Sequence, residues 1–134
     1  MPECKIFICT GFYLPGFKGG GPIRTIANMV DQLGNEFNFA LYTADRDLGD
    51  AAPYASIQRN AWQSVGKAEV FYASPEPGWI SRLWKNIASF EGNTIHLNSF
   101  FAFRFGILPL IFCRILKPGA AIILGPRGEF SEGA

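Results

Sequence analysis

The chain has 134 residues, room for one compact domain and not for two. Almost half of them are hydrophobic (49%), enough to build a core and too many for a disordered or low-complexity protein. Basic and acidic residues nearly cancel, 12 against 11, so the charge balance gives no reason to expect nucleic acid as a partner.

The first residues, Met1-Pro2-Glu3-Cys4-Lys5, lack the charged and apolar regions of a signal peptide. Residues 4–10 read as a strand, apolar nearly throughout, as in a strand covered on both faces. Cys4 and Cys9 fall in it and are expected to act as small hydrophobes; with Cys113 they form no metal-ligand spacing, and the odd count argues against a disulfide framework. A reducing cytoplasm suits such a chain. Phe17-Lys18-Gly19-Gly20-Gly21-Pro22 comes next, opening a helix from Pro22 to Leu33 with Ile23, Ile26, Ala27, Val30 and Leu33 at helical spacing. Glycines there let backbone approach a ligand closely. The helix N-terminus behind them offers unpaired N–H groups and a positive dipole end, which suits a phosphate or another anion, with Lys18 adding mobile charge. A glycine-rich turn without a ligand is the alternative.

Residues 37–43 read as the second strand, completing a βαβ unit with a right-handed crossover. Residues 44–68 are polar and read as an irregular connection, long for a compact domain. Residues 68–73 read as a third strand, and Trp79 to Phe90 as a helix with Ile80, Leu83, Trp84 and Ile87 on one face. Trp79, Arg82, Trp84 and Lys85 also invite a membrane-surface reading of that helix, although core packing accounts for its apolar residues. Residues 93–97 read as the fourth strand, and Phe101 to Leu116 as a largely buried helix bent near Pro109. Only nine uncharged residues separate Arg104 from Arg114, too few for a bilayer span of about 20. Residues 120–124 read as the fifth strand. Five strands alternating with helices predict an α/β, Rossmann-like doubly wound parallel sheet. The last residues, just past a strand, look like a cut end.

In such a sheet ligands bind beyond the carboxyl ends of the strands, where strand order reverses. The loops at that edge gather Lys18, Gly19, Gly20, Gly21, Arg24, Asp45, Arg46, His96, Asn98, Ser99, Arg127 and Glu129, a set suited to hydroxyls and phosphates. His96 is the single histidine, which excludes a His-based metal cluster, and no nucleophile elbow accompanies it. It is read either as a structural histidine or as a ligand contact. Arg127, between Pro126 and Gly128, points to the site or pairs with Glu129 on the surface. Asp45 and Arg46 serve as well for loop charges. Arg24 stands where Gly-x-Gly-x-x-Gly counted from Gly19 needs its last glycine, which weakens a nicotinamide-dependent oxidoreductase reading.

Four stretches in order carry a resemblance: Phe12-Tyr13-Leu14-Pro15 with Lys18-Gly19-Gly20-Gly21-Pro22 and Ile26-Ala27-Asn28; Tyr42-Thr43-Ala44-Asp45-Arg46-Asp47; Ile95-His96-Leu97-Asn98-Ser99; and Gly125-Pro126-Arg127-Gly128-Glu129. Together they resemble the N-terminal, acceptor-side domain of group-1 (family 4) glycosyltransferases. That resemblance implies the N-terminal half of a GT-B fold, residues 1–134 forming one domain, with the donor-binding domain and its paired glutamates absent from the chain. It further implies a retaining transfer, without metal or cofactor, from a nucleotide-sugar donor to a saccharide or lipid-linked acceptor. The setting would be bacterial polysaccharide biosynthesis, in the cytoplasm or peripheral at the inner face of the cell membrane. Lys18, Gly19, Gly20, Gly21 and Arg24 would face the donor's diphosphate, and Arg127 and His96 the reacting sugar. Asp45, Arg46, Asn98, Ser99 and Glu129 would contact the acceptor. Many relatives carry a histidine where Arg127 stands, a departure at that position. The fragment alone would be catalytically silent. A non-catalytic sugar- or phosphate-binding module is the main alternative.

Overall fold

The computed structural model describes residues 4–17, 21–47, 49–92, 94–97 and 103–124. Six strands form one sheet: β1 (Cys4–Cys9), β2 (Phe37–Ala44), β3 (Trp62–Val65), β4 (Ala68–Ala73), β5 (Thr94–Leu97) and β6 (Ala121–Leu124). Three helices flank it: α1 (Gly21–Leu33), α2 (Trp79–Ser89) and α3 (Leu108–Leu116), the last preceded by one π-helical turn, Phe103–Ile107.

The spatial order is β3-β4-β2-β1-β5-β6, and all neighbours are parallel except β3 and β4. β1 is the centre. Its Phe7, Ile8 and Cys9 are buried, and alternation sends them to opposite faces. Ile8 joins Phe39, Leu41, Val70 and Tyr72 on the face covered by Ile26 and Val30 of α1. Phe7 and Cys9 join Tyr42, Phe71, Ile95 and Leu97 on the other face, beneath Leu83 and Ile87 of α2 and Cys113 of α3. The chain therefore forms an α/β/α sandwich. It leaves β1 in one direction through α1 and returns through α2 and α3 in the other. Crossovers of one hand running in opposite directions must lie on opposite faces, which is what the helices do.

Local chemistry sets the boundaries. Pro75, Pro77 and Gly78 prevent β4 from running into α2, and Gly78 turns the backbone with a φ of 96°. Pro109 falls in the first turn of α3, where a missing N–H costs nothing. A π turn precedes this α-helical start.

Two expectations need correction. The connection 44–68 is not wholly irregular, because Trp62–Val65 forms β3 against β4. The signal was a hairpin turn: Val65 pairs with Ala68, leaving Gly66-Lys67 between them, and Gly66 has the positive φ of 60° that the first position of a two-residue turn requires. The apolar stretch before Leu116 is also less buried than expected. Pro109 and Cys113 face the sheet, whereas Ile107, Ile111 and Ile115 are exposed. Replacing Gly66 with alanine is expected to lower stability by about 1 kcal/mol, since a Cβ disfavours left-handed backbone. A lower urea midpoint at unchanged slope would show it.

Candidate functional site

Parallel strands bring their carboxyl ends to one edge, and the strand order reverses between β1 and β5. The edge is built from the loops that leave those strand ends. After β1, Thr10 N–H donates to the Tyr42 carbonyl (3.0 Å), and the chain then turns sharply through Tyr13–Gly16, where the Leu14–Pro15 peptide is cis. A Cβ at Gly16 would displace the Tyr54 hydroxyl that packs against it. α1 starts at Gly21, and its first turn holds no acidic residue. Arg24 lies exposed on that first turn. A shallow groove of about 180 Å³ runs beside it between Leu14, Gly16, Phe17, Ile23 and Ala27.

After β2 the chain enters a loop pinned from below. Asp45 is only 1% exposed. Its carboxylate accepts from Arg46 Nε (2.8 Å) and Nη2 (3.3 Å), and Arg59 Nη1 stands 3.8 Å away. Arg46 also donates from Nη1 to the Ala51 carbonyl (2.6 Å), tying the loop to itself. Asp47, also buried, accepts from the Phe17 N–H (3.0 Å) and so connects this loop to the segment leading into α1. Arg59 reaches Glu76 beyond β4 (3.0 Å). Asn60 exchanges two 3.0 Å hydrogen bonds with Ser74. The loops after β1, β2 and β4 are thereby one cross-linked layer.

Three tyrosines lie under that layer. Tyr72 donates its hydroxyl proton to the Leu14 carbonyl, and Tyr54 donates to the Tyr13 carbonyl at 3.3 Å. Burial pushes all three hydroxyls, Tyr13, Tyr54 and Tyr72, above the ordinary tyrosine value, Tyr72 to about 12. For Tyr54 the carboxylate of Asp47 adds to the effect. Burial likewise raises the Cys9 and Cys113 thiols, Cys113 to about 11, so both are poor nucleophiles, in keeping with cysteine as a core residue.

Of the residues singled out from the sequence, Gly21 and Arg24 sit together at the start of α1. Asp45 and Arg46 form a mutual ion pair rather than two independent loop charges. His96 lies within β5 opposite Ile8 of β1 and Ile123 of β6, half-buried on the sheet face that α1 packs against. Lys18, Gly19, Gly20, Asn98, Ser99, Arg127 and Glu129 lie outside the described residues. Asp47, Tyr54, Arg59 and Tyr72 were not anticipated; nothing in the sequence pairs residues so far apart. Among the described residues no three His, Cys, Asp or Glu side chains stand together to hold a metal ion. None of the helices so described is long and apolar enough to cross a membrane. No family model, curated protein or solved structure matches the chain.

Asp45→Ala would leave the guanidinium of Arg46 without its buried partner. Its expected cost is about 3 kcal/mol, read by urea unfolding. Alkali gives a second check. The folded Tyr72 keeps its proton to about pH 12, against an ordinary 10.0. Its stabilising contribution is therefore complete below pH 10 and is lost as the pH rises from 10 to 12. Tyr72→Phe is expected to lower stability at neutral pH and to flatten the decline of Tm across that window.

Proposed function

We propose that this chain is the acceptor-side domain of a retaining glycosyltransferase of the GT-B type. The observation that carries the reading is the convergence, at the reversal of strand order, of a helix N-terminus whose first turn holds no acidic residue with the loop layer after β1, β2 and β4. An α1 start with Gly21, exposed Arg24 and no nearby carboxylate in its first turn favours an anion, as the diphosphate of a nucleotide sugar requires. The adjoining groove between Phe17, Ile23 and Arg24 offers an apolar wall beside that charge. Mixed apolar and hydrogen-bonding linings suit saccharides.

In this reading the diphosphate lies over the start of α1, where backbone N–H groups and Arg24 stabilise charge on the departing nucleoside diphosphate. Lys18, Gly19 and Gly20 extend that cradle. His96 and Arg127 face the reacting sugar. The Asp45–Arg46 loop, with Asn98, Ser99 and Glu129, flanks the saccharide or lipid-linked acceptor. Asp45 acts there by holding Arg46 in place, since its carboxylate is already engaged. The transfer belongs to cytoplasmic polysaccharide assembly, with the donor bound chiefly by a second domain.

Titrating the 134-residue chain with pyrophosphate and with UDP, followed by amide NMR, tests the reading. Both ligands are expected to bind weakly, at about millimolar affinity, and to shift the amides of Gly21, Ile23 and Arg24. Arg24→Gln should weaken binding about threefold. Sugar transfer by this chain alone, nanomolar nucleotide affinity, or preference for a nicotinamide dinucleotide would each reject it.

A further inference from the structure

α3 is apolar on every side. Its nine residues, Leu-Pro-Leu-Ile-Phe-Cys-Arg-Ile-Leu, include one charge, Arg114. Pro109 and Cys113 point into the sheet. Ile111 and Ile115, one helical turn apart, are 46% and 61% exposed, and Ile107 on the preceding turn is 38% exposed. At about 100° per residue, Ile111 and Ile115 stand roughly opposite the line of Pro109 and Cys113. The core therefore has no use for them. α2 packs beside α3 through Trp84 and Phe112, whose rings meet edge to face at 4.9 Å. Ile80 and Trp84 of α2 are themselves 49% and 37% exposed, adding an aromatic flank to the isoleucine row.

Among the described residues, the charge that these elements carry has one sign. α2, the π turn and α3 contain no aspartate or glutamate, in a chain with 11 of them. They contain Lys85 and Arg114, both exposed, and Lys117 stands at the end of α3. Glu76 and Glu91, the carboxylates nearest in sequence to α2, are engaged by Arg59 and Lys5. Arg82 is half-buried and spends its guanidinium on Ser74 and the Glu76 carbonyl.

We propose that the outward face of α3, with the Trp84 flank of α2, docks on an anionic lipid surface. The isoleucines and the tryptophan enter the boundary between headgroups and acyl chains, while Lys85, Arg114 and Lys117 meet the lipid phosphates. Charge complementarity selects this occupant. A second copy of the chain, meeting this patch across a two-fold axis, would set Lys85, Arg114 and Lys117 against the same three cations. An anionic bilayer supplies both the apolar layer and the negative charge. The inference does not depend on sugar transfer.

Flotation of the 134-residue chain with vesicles tests it, comparing pure phosphatidylcholine with phosphatidylcholine mixed with phosphatidylglycerol. The protein is expected to float with the mixed vesicles at low salt, to stay behind with the neutral ones, and to be released by high salt. Arg114→Gln should lower partitioning about fivefold. The pair Ile111→Ser and Ile115→Ser should abolish it while leaving the circular dichroism spectrum unchanged, because both positions are exposed. Absence of flotation with the mixed vesicles, or flotation indifferent to the serine pair, would overturn the proposal. So would a dimer in sedimentation that the serine pair dissolves, since the face would then belong to a second copy.

Discussion

Burial of β1 on both sides is the constraint on which the architecture depends. A strand with Phe7 and Cys9 on one face and Ile8 on the other cannot leave either face to water, so helices must cover both. Parallel partners on both sides rule out tight hairpins there, and the chain crosses from β1 to β2 through α1 and from β4 to β5 through α2. The uniform hand of those crossovers then sends the chain outward in two directions from the centre. The reversal of strand order beside β1, and the helix N-terminus that opens onto it, are thus consequences of core packing. A ligand site at that edge needs no additional fold-level device.

The loop layer above the sheet rests on a different balance. Asp45 and Asp47 are carboxylates with almost no solvent, a position that is costly unless their partners are fixed. Backbone holds Asp45 from both sides: its N–H donates to the Ala73 carbonyl (3.2 Å), and its carbonyl accepts from Tyr54 N–H (2.8 Å). The layer is held by polar contacts over a buried tyrosine floor, and its order depends on hydrogen bonds more than on apolar area. Such a layer keeps a defined shape while presenting polar groups.

Much of the fold was legible because the strands are short apolar runs closed by glycine and proline. The stretches 37–43 and 68–73, and the helices near 22–33 and 79–90, appear within a residue or so of where the pattern puts them. β3 was missed for a physical reason: Trp62-Gln63-Ser64-Val65 has no apolar run, and it is a strand because the edge of β4 offers hydrogen bonds to it. α3 misled in the opposite way. Hydrophobicity on every side reads as burial, yet one sheet face can cover only one side of a helix. At the candidate site the positions of Gly21, Arg24 and Asp45 were legible from their place after a strand. The burial of Asp45, and its link through Arg59 to Glu76, depend on the path of residues 44–61, which no local pattern encodes.

The two margins of the sheet differ in their exposure to misassembly. On one side β3 ends the sheet as a four-residue strand with alternating exposure, polar Gln63 and Ser64, and a tight glycine turn. Short, polar, strongly turned margins are poor templates for a further strand. On the other side, among the described strands, the margin is Ala121-Ile122-Ile123-Leu124, uncharged and β-branched, with Ile123 half in water. An uncharged, isoleucine-rich margin of this kind is the better template for a further strand.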